Sequence, residues 1–97
     1  MTRGGSTYIM ANKFNTTIYT GSTDDLLVRI KEHRLKKYPN AFTSRYNITK
    51  LVFFKHFSRI EEAREYERYI KGKSRKWKQN LIEKENPYWL DLTDELQ

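Results

Sequence analysis

The chain reads as an α+β domain, one sheet with its helices. Two short runs rich in Thr, Tyr and Ile flank a polar turn near the N-terminus, and a third apolar run lies mid-chain. Helical patterns with recognisable starts and stops follow these runs. The predicted order is strand, strand, helix, strand, helix, helix, and such an order packs as one sheet against its helices.

Residues 6–11 and 16–22 carry the β-branched and aromatic side chains that suit a pleated surface, and Asn12 to Asn15 supplies turn chemistry between them. A hairpin is expected. Ser22 or Thr23 can cap the next helix, with Asp24 and Asp25 at its positive end. That helix carries Leu26, Leu27, Ile30 and Leu35 and should stop before Pro39. Residues 39–49 read as a polar loop dotted with aromatics. Leu51 to Phe57 is a third strand, apolar enough to be expected at the centre of the sheet. Ser58-Arg59-Ile60-Glu61 fits a capping box for a second helix ending near Gly72, and Ser74 opens a third that runs to about Glu85, closed by Pro87.

Ninety-seven residues make one domain, 1–97, with a short acidic tail at 91–97. There is no cysteine, which excludes disulfides, thiolate metal ligands and a thiol nucleophile. No apolar run approaches the roughly 20 residues that span a bilayer, and the N-terminus lacks a signal-peptide core. A cytoplasmic monomer without membrane contact is the default. The formal charge is +7, and up to Leu90 nineteen basic residues face nine acidic ones. A field of that sign on so small a body points to a polyanionic partner, with binding that weakens as salt rises.

Several constellations carry chemistry. Arg29 and His33 are four residues apart and share a helix face near Leu26 and Ile30, and a guanidinium grips phosphate with two parallel hydrogen bonds. Glu67 falls on the stripe of Ile60, Ala63 and Ile70, so a carboxylate interrupts an apolar face. Burial there calls for a metal ion or a cation, while a turned helix would leave it in solvent beside Lys71. Lys71, Lys73, Arg75, Lys76 and Lys78 put five cations in eight residues around Trp77, a surface suited to tracking phosphates without reading sequence. Arg45, between Phe42 and Tyr46 in the long loop, adds a further cation.

These residues resemble the GIY-YIG nuclease superfamily. The resemblance rests on Tyr8, then Tyr19-Thr20-Gly21, Asp25-Leu26, Arg29, Glu32-His33 and Glu67. Residues 42–47, 50–52 and 81–89 look like its small standalone bacterial members, similar to the N-terminal nuclease domain of the UvrC-like excinucleases. Only the tyrosine of the first motif is kept, in Ser6-Thr7-Tyr8, and Thr20 replaces the isoleucine of the second. The resemblance implies a three-stranded antiparallel sheet flanked by helices and a DNA endonuclease dependent on Mg2+ or Mn2+. It implies that Tyr8 activates or orients water, that Tyr19 supports it, that Arg29 stabilises charge on the phosphate, that His33 assists proton transfer or positions a phenol, and that Glu67 holds the metal. Gly21 of the second motif and a late asparagine, Asn80 or Asn86, are implied supports. Branched or damaged DNA, a role in repair or processing, and a protein partner supplying specificity go with that reading. The alternative is a binding module that keeps fold and charge but cuts nothing unless a partner activates it.

Overall fold

The computed structural model describes residues 4–96. Strands β1 (Gly5–Asn12) and β2 (Ile18–Thr23) form the hairpin. Helices α1 (Leu26–Arg34) and α2 (Phe42–Arg45) then lead to β3 (Ile48–Phe57), followed by α3 (Ile60–Lys71), α4 (Arg75–Glu85) and a final 3-10 turn, Thr93–Leu96. The sheet is three-stranded and antiparallel, in the order β2-β1-β3. Among the described residues no helix is long and apolar enough to cross a membrane.

The centre of the sheet belongs to β1, not to the 51–57 strand. Apolarity alone points to β3, but β1 is buried from Gly5 through Ala11 while β3 opens to solvent at Lys55 and His56. The hydroxyls in β1 tolerate this because they are paired: Thr7 Oγ1 donates to the Ala63 carbonyl at 2.7 Å. A charged end on β3 suits an edge strand, which gains by discouraging further pairing.

Alternation along β1 divides the core. Tyr8 and Met10 join Leu26, Ile30, Ile48 and Leu51 under α1, whereas Ile9 and Ala11 join Val52, Phe53, Ile70, Ile82 and Trp89 under α3 and α4. The register passes from Ile9↔Phe53 to Met10↔Leu51, leaving Val52 opposite no partner. This bulge is why Val52 and Phe53, neighbours in sequence, serve the same side of the sheet. Gly5 has its own reason: a Cβ there would lie 2.9 Å from the Ile60 Cα, so α3 packs directly on the strand backbone.

Local starts and stops follow side-chain hydrogen bonds. Asn12 Oδ1 accepts from the backbone N–H groups of Thr16 and Thr17 and closes the hairpin turn, with Asn15 in the left-handed region at φ 58°. The cap of α1 is Asp25, which accepts from the Val28 N–H, rather than Ser22 or Thr23. Thr23 instead bonds the backbone of Asp25, and Ser22 is drawn to α3. The N-cap of α3 is Arg59 with no side-chain bond, while Ser58 Oγ donates to Glu62 at 3.3 Å, so the expected capping box does not form. Ser74 caps α4 as expected, accepting from the Trp77 N–H. Leu35, expected within the first helix, is its C-cap and is exposed, and residues 39–49 contain α2 rather than loop alone.

The acidic tail is partly internal. Asp91 Oδ1 accepts from the Leu51 and Thr93 backbone N–H groups and from the Thr93 hydroxyl, and Asp91 Oδ2 pairs with Arg34. Asn86 Nδ2 donates to the Val52 and Leu90 carbonyls. Together these fasten the C-terminal segment across β3 and α1.

Candidate active site

Tyr8 projects from the central strand toward α1 and is 1% exposed. Its hydroxyl lies 3.1 Å from His33 Nε2, and His33 Nδ1 lies 2.8 Å from Thr43 Oγ1. Tyr19, two residues before Gly21 on β2, packs edge-on to His33 with ring centroids 5.7 Å apart and stands 6.3 Å from Tyr8. Gly21 faces Tyr8 directly across the register, and a Cβ at that position would sit 2.6 Å from the Tyr8 hydroxyl. Only a residue without a side chain lets the phenol lie there.

The open side of this cluster is a pocket of about 240 Å³ lined by Tyr19, Arg29, Glu32, His33, Tyr38 and Phe42 among others. Tyr8 lies behind this lining and communicates with it through His33 and Tyr19. Arg29 sits at the rim, close enough for its positive charge to act on Tyr8. Glu32 shares the rim, 3.4 Å from Arg29 and 3.0 Å from Lys37.

Charge states follow from these surroundings. Burial, then the neighbouring Tyr19, pushes the Tyr8 phenol far above its ordinary range, and Arg29 offsets only part of that. Burial, helped by the Arg29 charge, holds the His33 imidazole below its ordinary value of 6.5. At neutral pH the pair is therefore a neutral phenol beside a neutral imidazole. One nitrogen of that imidazole is a hydrogen-bond acceptor.

Glu67 comes from the other side of the sheet. With Ile60, Ala63 and Ile70 it faces β1 and β2, and its side chain is 19% exposed. Ser22, which faces α3 from the edge strand, donates to Oε1, and Lys71 Nζ lies 2.5 Å from Oε2. Burial opposes ionisation, but the Lys71 and Ser22 hydrogen bonds prevail and hold the carboxyl below its ordinary value. The same Lys71 ammonium lies 6.0 Å from the Tyr19 ring, so it bridges Glu67 to the phenol cluster around the edge of β2. Among the described residues no three His, Asp, Glu or Cys side chains converge as a metal cage. A lone carboxylate still fits magnesium, which keeps much of its water and binds through one or two carboxylates plus phosphate oxygens.

Tyr8, Tyr19, Gly21, Arg29, His33 and Glu67, spread over 60 residues of sequence, thus gather along the β1–β2 edge. The family model of the GIY-YIG catalytic domain matches residues 4–80. The chain belongs to the GIY-YIG family. Its nuclease-type fold is shared with a solved structure, the UPF0213 protein BH0048 from Bacillus halodurans, at 30% identity and a TM-score of 0.57. That likeness covers 93% of this chain and 94% of the other. No curated protein matches.

The other residues singled out in this GIY-YIG chain are dispersed. Arg75 donates to the Asn15 and Thr16 carbonyls at 2.7 and 2.9 Å, tying α4 to the hairpin turn. Lys73 lies over the Tyr69 and Trp77 rings, at 4.4 and 5.7 Å. Lys76 and Asn80 are exposed on α4, Lys78 is half-buried there, and Arg45 is exposed on α2. Asn86 is buried, with its amide on backbone partners. Two hydroxyls now join the site. Thr43 sits inside a recognised segment but carries no chemical signal in the sequence, and Ser22 reads there as a helix cap.

Proposed function

We propose that this protein is a divalent-ion-dependent endonuclease that hydrolyses DNA phosphodiester bonds, acting in repair or processing in the cytoplasm. The observation that carries the reading is the Tyr8 hydroxyl 3.1 Å from His33 Nε2, behind a pocket with Arg29 at its rim. A phenol is a poor base by itself, because its proton must go somewhere as water attacks. A neutral imidazole at hydrogen-bonding distance can take that proton. Arg29 would meet the non-bridging oxygens of the phosphate, where charge grows during attack. Tyr19 would hold the imidazole and the phenol in register. Glu67 would hold Mg2+ or Mn2+, which when bound supplies positive charge beside the departing oxygen. Exposed Lys76 and Arg45, together with Lys71, Lys73, Arg75 and Lys78, would supply the electrostatic contact to the DNA backbone, and branched or damaged DNA is the substrate class we infer.

The test is nicking of plasmid and branched DNA with Mg2+ or Mn2+. Glu67→Ala and Arg29→Ala should each abolish nicking while DNA binding largely persists. Undiminished cleavage by both variants would sink the assigned roles. Two features favour the second reading, a binding module that cuts only when a partner recruits it. Tyr8 is almost wholly screened and Lys71 occupies the Glu67 carboxylate. Absence of nicking on every DNA form and with either ion, with binding intact, selects that reading.

A further inference from the structure

A carboxylate as screened as Glu67 needs donors on its oxygens, and in the free protein it has one on each. The Ser22 hydroxyl donates to Oε1, and the Lys71 ammonium lies 2.5 Å from Oε2. A divalent ion that reached Glu67 would have to share the carboxylate with this ammonium or displace it. Sharing sets three positive charges against one negative charge, with the Arg68 charge also acting on the carboxylate. Displacement leaves an ion and a freed ammonium side by side, two positive charges in excess. Backbone phosphates of a nucleic acid are the groups that would cancel that excess.

We propose that Lys71 holds the ion's place on Glu67 in the free protein and yields it when a backbone phosphate takes the ammonium. Nucleic acid and divalent ion then bind cooperatively, each favouring the other by the same factor. The placing of the ion at Glu67 rests on the nuclease reading above, while the exchange is measured without cleavage.

The placement suits an exchange. Lys71 is the last residue of α3, with a side chain 51% exposed, whereas the Glu67 side chain, one turn earlier, is 19% exposed. The lysine stem can swing while the carboxylate stays between α3 and β2. An i, i+4 pair with one half-exposed member contributes little to stability, so opening it costs little. The ammonium also lies 6.0 Å from the Tyr19 ring, and Tyr19 lines the pocket that has Arg29 at its rim. On release it already stands beside the place where the proposed reaction puts a phosphate.

The experiment titrates Mn2+ into the nitrogen-15-labelled full chain and follows paramagnetic broadening of the Ser22 and Glu67 amide signals. That readout reports an ion at this carboxylate rather than one on the nucleic acid. It is run with and without a short DNA duplex, whose charge survives any nicking. In the wild type the duplex should lower the Mn2+ midpoint. Lys71→Met should lower it about fivefold without DNA, the worth of a half-exposed ion pair, and the duplex should then add less. Arg68→Met removes a neighbouring charge without opening the carboxylate and should change the midpoint far less. Glu67→Gln should abolish the broadening. A Lys71→Met midpoint equal to the wild type, an equal shift from Arg68→Met, or broadening indifferent to DNA overturns the proposal. If the midpoints move as expected but no form of the protein nicks DNA, the nuclease reading fails and the exchange stands.

Discussion

Two carboxylates in this molecule have nearly the same surroundings and behave differently. Asp91 and Glu67 are each partly buried, each meets a hydroxyl and a basic side chain, and each is held below its ordinary pKa against the cost of burial. The difference lies in what else reaches them. Asp91 accepts from two backbone N–H groups, those of Leu51 and Thr93, which cannot withdraw while the fold persists. Glu67 is met by the Ser22 hydroxyl and the Lys71 ammonium, both on side chains that can turn away. Lys71 is half-exposed at the rim. A carboxylate bound by backbone is a fastening, and one bound by movable side chains is available for exchange.

The sharpest way to break that comparison is to remove each carboxylate. Glu67→Ala should eliminate nicking yet cost less than about 1 kcal/mol of stability, because a half-exposed ion pair contributes little. Asp91→Ala should do the reverse. Loss of charge-assisted hydrogen bonds that leaves backbone donors unpaired should cost about 1–2 kcal/mol, while nicking below the unfolding transition is preserved. Urea unfolding and the plasmid assay on both variants read the two effects. Equal stability losses from the two substitutions would end the distinction.

Gly21→Ala should have the next largest effect, and it acts on geometry alone. The new methyl would lie 2.6 Å from the Tyr8 hydroxyl, which has His33 on its other side. The ring must move, and an error of that size at a reacting group costs on the order of a hundredfold in rate. Overpacking should also lower stability by about 1–3 kcal/mol. Nicking kinetics and the Tyr8–His33 hydrogen bond, followed by NMR, check it; unaltered kinetics would show that Tyr8 does not act in its observed position.

Much of this arrangement is legible in the sequence because it is local or periodic. The alternation of Tyr8 with Ile9, the i, i+4 spacing of Arg29 and His33, and the carboxylate on the Ile60–Ala63–Ile70 stripe each follow from a known repeat. The hairpin turn and the Ser74 cap are legible for the same reason. What escapes the sequence depends on partners far along the chain. Ser22 offers a hydroxyl that suits a helix cap, and only the fold brings it to Glu67, 45 residues on. Thr7 is polar for a central strand until the Ala63 carbonyl accepts its proton. Charge counting does not separate Arg75, held by two carbonyls of the hairpin turn, from Lys76, which stands in solvent. Composition gives the sign of a surface, and tertiary hydrogen bonds decide which of its charges remain open.

The smallest expected effect is a separation along pH. His33 has a folded pKa below its ordinary 6.5, with burial the larger cause and Arg29 the second. A depressed pKa means that the unfolded chain binds protons first, so the stability share of this group is full above pH 6.5 and is lost as pH falls through the lower folded value. The same sign holds for Glu67 and Asp91, but their windows lie below their ordinary values of 4.5 and 3.8. Since the proposed base must be neutral imidazole, nicking should be less than half-lost at pH 6.5 and should fall further at lower pH. The main acid loss of stability should come later, as Asp91 protonates and releases its two backbone donors. Activity and stability should therefore decline in two steps, His33 before Asp91, in pH profiles of nicking and of the unfolding midpoint. A nicking profile already half-lost at pH 6.5 would mean that an unperturbed imidazole, rather than the buried His33, controls the reaction.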